Sequence, residues 1–203
     1  MSLIDKVVAA VTPPESEDKR REARAKARAA AGQNDWLAQV LQHHEQIDAL
    51  FGAVRSTQDV TSRLQALREL ALVLTGHANA EEAVIYPALV HFDHKSHGMA
   101  GYAEQAGAKA DMGELEYLDP MSSEFLDELE HIRGAVAHHM YEEEGDRFLD
   151  LKNLPASDQA RLTARYMEEF DRYADSGHES VLEFGTSRPN ALEGGELKPG
   201  MVR

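Results

Sequence analysis

A short pattern of metal-binding residue types occurs twice in this 203-residue chain and constrains its fold most. Each copy is a histidine followed four and five residues later by two glutamates. The first copy contains His77 and Glu81, and the second contains His139 and Glu143. Residues four apart share one face of an α-helix, so each copy directs an imidazole and a carboxylate to the same point. With ten histidines in the chain, composition predicts about 0.3 chance copies. An aromatic residue follows each copy at the same distance: Tyr86 and Phe148.

Apolar residues at helical spacing place both copies on buried helix faces. The apolar stripes are Leu67, Leu70 and Leu74 before the first copy, and Phe125, Leu129, Ile132 and Val136 before the second. Burying ionisable groups is costly unless their charge is compensated, and Glu81 and Glu143 would repel each other in one core. A bound cation removes this conflict, so the sequence predicts a metal site. A bundle without metal would have to bury the two carboxylates protonated or hydrated.

The composition limits the metal chemistry and the location of the protein. The chain has no cysteine, which excludes disulfides, thiolate zinc sites and iron–sulfur clusters and leaves His, Asp, Glu and Tyr as ligands. It also has no apolar run of signal-peptide or membrane-span length. We therefore expect a soluble, cytoplasmic protein that has no membrane partner.

The net charge of −15 disfavours a nucleic-acid partner, because a phosphate backbone would be repelled by most of the surface. Residues 17–28 differ from the rest, with six basic and three acidic side chains. We interpret this stretch as an Ala/Arg-rich helix that docks on the acidic bundle. An RNA or membrane patch is the alternative, which the lack of interleaved aromatic residues disfavours.

The apolar periodicity predicts an all-α fold, an antiparallel four-helix bundle. Its helices are expected at about residues 36–54, 60–90, 99–118 and 122–151, and Pro87 should interrupt the second of them. The predicted organisation is an N-terminal helical extension (1–33), the bundle (34–154), a C-terminal fifth helix (155–184) and a flexible tail (185–203). Within the extension, residues 3–11 are expected to form a short amphipathic helix.

Further histidines lie outside the repeated pattern. His44 falls within the apolar stripe of the first helix and is expected to be a ligand, whereas His43 points more to the side. His91, His94 and His97 recur at three-residue steps in a polar connection. We interpret these three as solvated loop histidines, with a surface metal site as the alternative.

Together these residues resemble the hemerythrin-like family, whose four-helix bundles carry a His-His-Glu cation-binding domain. The matching segments are residues 42–47, 77–87, 104–116 and 138–144, and the resemblance covers about residues 36–151. The combined order and spacing of these segments carries the resemblance.

The resemblance implies two non-haem iron ions joined by two carboxylates and an oxo or hydroxo bridge. Imidazole and carboxylate also suit other divalent metals, such as zinc and manganese. The ligands implied are His44, His77, Glu81, His139 and Glu143. The family's third-helix histidine is replaced by Gln105, whose neutral amide is a weaker iron donor.

Because of this replacement, the sequence does not decide which group on the third helix ligates the metal. Gln105 can ligate, Tyr102 or Glu104 can take its place, or the position stays open. Three polar residues are expected to orient the ligands through hydrogen bonds. They are His43, Asp48 and His138.

The function implied is a reaction with a small ligand (dioxygen, nitric oxide or peroxide) in oxidative or nitrosative stress, by a monomer or homodimer. The alternatives are a catalase- or peroxidase-like enzyme, and an iron storage or sensing bundle without turnover. A ferritin-like di-iron site needs two Glu-x-x-His motifs, and only Glu128 with His131 fits. A zinc protease is disfavoured because His44-Glu45 lacks its second histidine.

Overall fold

The computed structural model describes residues 15–92 and 94–184, and this part of the chain is helical with no strand. The α-helices are α1 (Glu17–Ala30), α2 (Trp36–Ser56), α3 (Val60–Ala80), α4 (Tyr86–His91), α5 (Lys95–Glu114), α6 (Ser123–Glu142) and α7 (Ala156–Phe184). The short helix predicted at 3–11 and the tail predicted from 185 lie outside the described residues.

The bundle consists of α2, α3 continued by α4, α5 and α6, which confirms the predicted all-α bundle. The third helix of the bundle, α5, begins at Lys95, four residues before the predicted start, and continues as a 3₁₀ turn, Leu115–Tyr117. The fourth helix of the bundle, α6, is followed by a π-helical segment, Glu143–Arg147, and then by a 3₁₀ segment, Leu149–Asn153. In the described residues, no helix is both long enough and apolar enough to cross a membrane.

A π-helical segment follows the histidine of both repeated patterns. The segments are Glu81–Ile85 and Glu143–Arg147. The backbone N–H of Tyr86 donates to the Glu81 carbonyl, and that of Phe148 donates to the Glu143 carbonyl at 3.1 Å, so the turn spans five residues. In these segments, the residue one helical turn after each glutamate is therefore five positions along the chain instead of four. The interruption expected at Pro87 lies just before it, at this segment.

The buried apolar residues form two clusters along the bundle axis. One cluster contains Trp36, whose ring meets Phe148 edge-on at 5.8 Å, and the other contains Phe51 and Phe125. On α2 the first cluster ends at Leu41 and the second begins at Ile47. The repeated patterns and His44 therefore form a polar layer between two apolar ones.

Both helices outside the bundle dock on it. From α1, Arg24 binds Asp48 at 3.0 Å and Lys26 donates to the Gly145 carbonyl at 2.8 Å. The α7 helix lies along α3, where a Cβ added at Gly76 would come within 3.2 Å of an α7 aromatic ring. A methyl group at this position would require the neighbouring rings to shift by a few tenths of an ångström.

Asp35 stabilises the start of the bundle. Its carboxylate accepts hydrogen bonds from Ala38 N at 2.9 Å and Gly32 N at 2.7 Å, and pairs with Lys152. We expect Asp35→Ala to lower the free energy of unfolding by about 1–2 kcal/mol, because a helix N-cap is lost. Asp35→Asn, which keeps an acceptor for the cap, should cost less. Denaturant titration measures both effects, and equal costs would contradict a capping role.

The effect of Asp35→Ala on the free energy of unfolding should depend on pH. Burial alone would raise the pKa of the Asp35 carboxyl, but Lys152 and the two N–H groups hold it below its ordinary value of 3.8. The contribution of Asp35 is therefore complete above pH 3.8 and is lost as the pH falls through the lower, folded-state pKa. The difference between Asp35→Ala and the parent should shrink on acidification.

Candidate metal centre

Four buried side chains meet in the polar layer of the bundle. They are His44 from α2, His77 from α3, and Glu81 and Glu143 from the two π-helical segments. Each offers one ligand atom, and these atoms lie within 4.8 Å of one another. Imidazole and carboxylate together are a donor set for iron, zinc or manganese.

Several ligand atoms of this layer are buried without a hydrogen-bond partner among the described residues. They are His44 Nε2, His77 Nε2, Glu81 Oε1, Gln105 Oε1 and Glu143 Oε2. Unsatisfied buried polar atoms are rare because each costs free energy. Five of them in one cluster fit a site in which bound cations take the place of hydrogen-bond donors.

The electrostatics of the cluster also favour a bound cation. Burial, and then the charge of Glu143, raise the pKa of Glu81 well above its ordinary value. Burial would lower the pKa of His44, but the neighbouring carboxylates of Glu143 and Glu144 raise it to about 10. The metal-free cluster therefore favours bound protons at these positions, and a cation would replace them.

His139 extends the cluster on its other side. Its Nε2 lies 3.2 Å from Glu143 Oε1, whereas His44 Nε2 lies 3.4 Å from Glu143 Oε2. Glu143 thus presents one oxygen to each of these two histidines. The structure therefore brings together all five ligands that the resemblance implied: His44, His77, Glu81, His139 and Glu143.

Tyr86 is a site residue that the sequence analysis missed. Its hydroxyl donates to Glu143 Oε1 at 2.9 Å and to Glu81 Oε2 at 3.2 Å, and lies 3.2 Å from His139 Nε2. Helical periodicity of 3.6 residues places a residue five positions after Glu81 off the ligand face. The π-helical segment returns it to that face, and the aromatic residue repeated after both patterns was the available signal.

Gln105 also lies in the cluster. Its Nε2 is 2.6 Å from both Glu81 Oε2 and Tyr86 Oη, and 3.5 Å from His139 Nε2. The amide therefore stands where the resemblance implied a fourth histidine. It contacts the ligands on the His139 side of the cluster.

Each of the three histidines in the cluster is held through its second ring nitrogen. The pairs are His44 Nδ1 with Glu144 Oε1 at 2.8 Å, His77 Nδ1 with Tyr166 Oη at 3.0 Å, and His139 Nδ1 with Glu104 Oε2 at 2.6 Å. With Nδ1 engaged, Nε2 of every ring faces the cluster, and such contacts orient metal ligands. Glu144 and Tyr166 were not predicted in this role.

Glu104 and Tyr102 are not placed as ligands. Glu104 accepts from both terminal nitrogens of Arg147, at 2.7 and 2.9 Å, besides binding His139. Burial would raise the pKa of Glu104, but these hydrogen bonds lower it to about 2. Tyr102 donates to the Glu82 carbonyl at 2.6 Å, so its hydroxyl is engaged away from the ligand atoms.

Two of the three expected orienting residues connect to the ligands indirectly. His43 is buried and binds the Tyr166 hydroxyl at 2.9 Å, the same hydroxyl that holds His77. Burial and the charge of His44 lower the pKa of His43 to about 4. Asp48 contacts Arg24, whose Nε donates to Glu144 at 2.9 Å.

Other histidines stand apart from the centre. His138 binds Glu15 at 3.0 Å on the face covered by the N-terminal helix, so the structure does not bring it to the ligands. His94 and His97 lie 2.9 and 3.6 Å from Asp150, each about one third exposed. His94 lies just before α5 and His97 lies within its first turn, so both are placed at a helix start beside a carboxylate instead of in a solvated loop.

A layer of buried imidazoles and carboxylates inside a four-helix bundle defines a cation-binding bundle. Residues 36–151 match the family described as the hemerythrin HHE cation binding domain. The chain belongs to this family, as its sequence pattern predicted.

Comparison with curated proteins finds similarity to a DNA nickase from Nostoc sp. (strain PCC 7120). The two are 27% identical over 127 residues, which cover 63% of this chain and 35% of that protein. The chain thus spans about a third of that relative's length. No solved structure matches the chain.

Replacement of Glu81 tests whether a cation stabilises the centre. A metal present at 100 times its dissociation constant should stabilise the parent protein by about 2.7 kcal/mol. Glu81→Gln should abolish this gain, because it removes one anionic ligand, and yet should make the metal-free protein more stable at neutral pH. Thermal unfolding with and without iron measures both effects. Glu82→Gln, at the adjacent half-buried glutamate, is the matched control and should keep the metal-dependent gain.

The pH dependence of the metal-free protein gives a second test of Glu81. Because its folded-state pKa is raised above 4.5 by burial and by Glu143, the folded state binds more protons than the unfolded state above that pH. Stability should therefore fall as the pH rises above 4.5, and Glu81→Gln should flatten the fall. An equally steep fall in the variant would contradict the assignment.

Proposed function

We propose that this protein holds two iron ions in the polar layer and uses them to bind or react with dioxygen, nitric oxide or peroxide. The observation that carries the proposal is the cluster of five buried ligand atoms without hydrogen-bond partners among the described residues. Membership of the hemerythrin HHE family supports a cation at this place. Other divalent metals suit the same ligands, so metal analysis of the purified protein is the first experiment.

The contacts support two sets of ligands, which would share the carboxylates. His44 and His77 would hold one ion with Glu81 and Glu143. His139 would hold the other with the same two carboxylates, and Tyr86 stands beside it. In this set the Gln105 amide replaces imidazole, so the second ion should be bound less tightly.

Bound iron would supply the redox chemistry and Lewis acidity, and the protein's side chains do the rest. The Tyr86 hydroxyl contacts Glu81, Glu143 and Gln105, so it can hold or pass a proton on the side of the weaker donor. Burial and the charges of Glu143 and Glu81 raise its pKa well above the ordinary value, and a cation nearby would oppose that shift. A small ligand would enter at the Gln105 side.

The proposed setting is the cytoplasm, in oxidative or nitrosative stress, with the protein as a monomer or homodimer and without a membrane or nucleic-acid partner. The net charge of −15 supports the last point, since DNA would be repelled. The DNA nickase resembles this chain over 35% of its length only. A plasmid-nicking assay tests this part, and nicking above the metal-only background would contradict it.

Binding and turnover are separated by two measurements. Stopped-flow spectra of the reduced protein with oxygen report ligand binding, and gas evolution with peroxide reports catalase-like turnover. A stable, reversible oxygen spectrum without peroxide consumption would exclude the enzyme. Retained iron with neither reaction would favour storage or sensing.

Gln105→His should increase the iron occupancy, because imidazole is a better iron donor than an amide. Metal analysis of the two purified proteins measures the change. Gln42→His adds an imidazole at an exposed position of α2 and should leave the occupancy unchanged. Equal stoichiometry in parent and Gln105→His would mean that another group already fills the position.

Tyr86→Phe tests the residue found only in the structure. We expect the variant to lose iron from the His139 side, so that the content falls from the parent's value toward one ion per chain. Tyr102→Phe is the matched control, because its hydroxyl lies nearby but binds the Glu82 carbonyl. Unchanged occupancy in Tyr86→Phe would contradict a role in holding the second ion.

A further inference from the structure

A cavity of about 280 Å³ borders the metal centre on its Gln105 side. It lies between α3, α5 and α6, and its wall includes His77, Gln105 and His139. The remaining wall is mostly apolar and includes Ala71, Leu74, Ala108, Met112, Val136 and Met140.

Small side chains on facing helices create the space. Ala71 and Ala78 come from α3, Ala108 from α5 and Ala135 from α6. Larger apolar residues at these positions would pack against one another and close the cavity, as in an ordinary core. The opening therefore follows from the sequence of three separate helices.

The size of the cavity exceeds what a diatomic ligand needs. An apolar cavity of about 150 Å³ binds benzene or xenon. A single oxygen molecule would leave most of a 280 Å³ cavity without contacts and so would gain little dispersion energy. A molecule of one ring with a short substituent fills such a volume better.

The charges around the cavity favour a neutral molecule. Lys109 Nζ is bound to Glu82 at 2.7 Å and to Asn79 at 3.2 Å. Glu104 is bound to Arg147 and His139. Because both charged wall residues are already paired, a charged ligand would lose its hydration without gaining a counter-ion.

We propose that this cavity is a binding site for a neutral, apolar organic molecule of about one ring, seated against Gln105 and His139. The inference rests on the proposed function in one respect only: such molecules would be the substrate class of the iron centre. Binding itself depends on the cavity wall and does not require the metal.

Fluorine NMR titration of the full chain with 4-fluorotoluene tests the proposal, with and without zinc in the centre. The parent protein should bind the probe saturably, and Ala108→Phe should weaken binding by about tenfold or more by filling the cavity. Ala106→Phe introduces the same side chain at an exposed position two residues earlier on α5 and should bind like the parent. In the protein without metal, the anion 4-fluorobenzoate should bind about tenfold more weakly than 4-fluorotoluene, or weaker still.

A second variant keeps the test decisive if Ala108→Phe fails to fold by circular dichroism. Ala71→Phe fills the cavity from α3 and should have the same effect on binding. Absence of saturable binding in the parent, or unchanged binding in the folded filled variants, would overturn the proposal. Equal affinity for 4-fluorobenzoate would overturn the preference for neutral molecules.

An absorption measurement tests whether the bound molecule lies beside the metal centre. In iron-loaded protein, 4-fluorotoluene should change the absorption spectrum of the parent and of Ala106→Phe, but not that of a filled variant. Saturable binding with no spectral change would overturn the placement against Gln105 and His139. Failure to load iron would count against the proposed function alone, because the NMR titration decides the cavity site without it.

Discussion

The repulsion between two buried carboxylates is the constraint on which this structure depends. Glu81 and Glu143 are fully buried beside the imidazoles of His44 and His77, and the energy of that arrangement has to be balanced by protons or by cations. Without metal, burial and the neighbouring charge oppose ionisation of Glu81. The polar layer is therefore a place in the core where stability and metal binding are coupled.

The structure around this layer serves to fix the imidazoles. Each ring is held through Nδ1 by a group on another element, so the Nε2 atoms of the three rings converge. Two of these contacts reach beyond residues 36–151, which match the family. Tyr166 comes from α7, and Glu144 is bound by Arg24 from α1. The helices outside the family domain thus take part in the centre.

The two sides of the centre differ in chemistry. The side of His44 and His77 carries imidazoles and shared carboxylates, whereas the side of His139 carries a tyrosine hydroxyl and an amide. Gln105 and His139 of the second side line the cavity, together with His77 of the first. The cavity therefore reaches both sides of the centre.

Local periodicity made the all-α fold, the bundle and the two His-Glu patterns predictable, because a helix's backbone hydrogen bonds set which residues share a face. The same rule placed His44 on the buried face. It could not place Tyr86, which reaches the ligands through a five-residue π turn, and it left Tyr102 and Glu104 as candidate ligands. Their hydroxyl and carboxylate are instead engaged by Glu82, His139 and Arg147. Those partners lie up to 43 residues away along the chain, and which distant side chains meet is decided by helix packing, which no local pattern records.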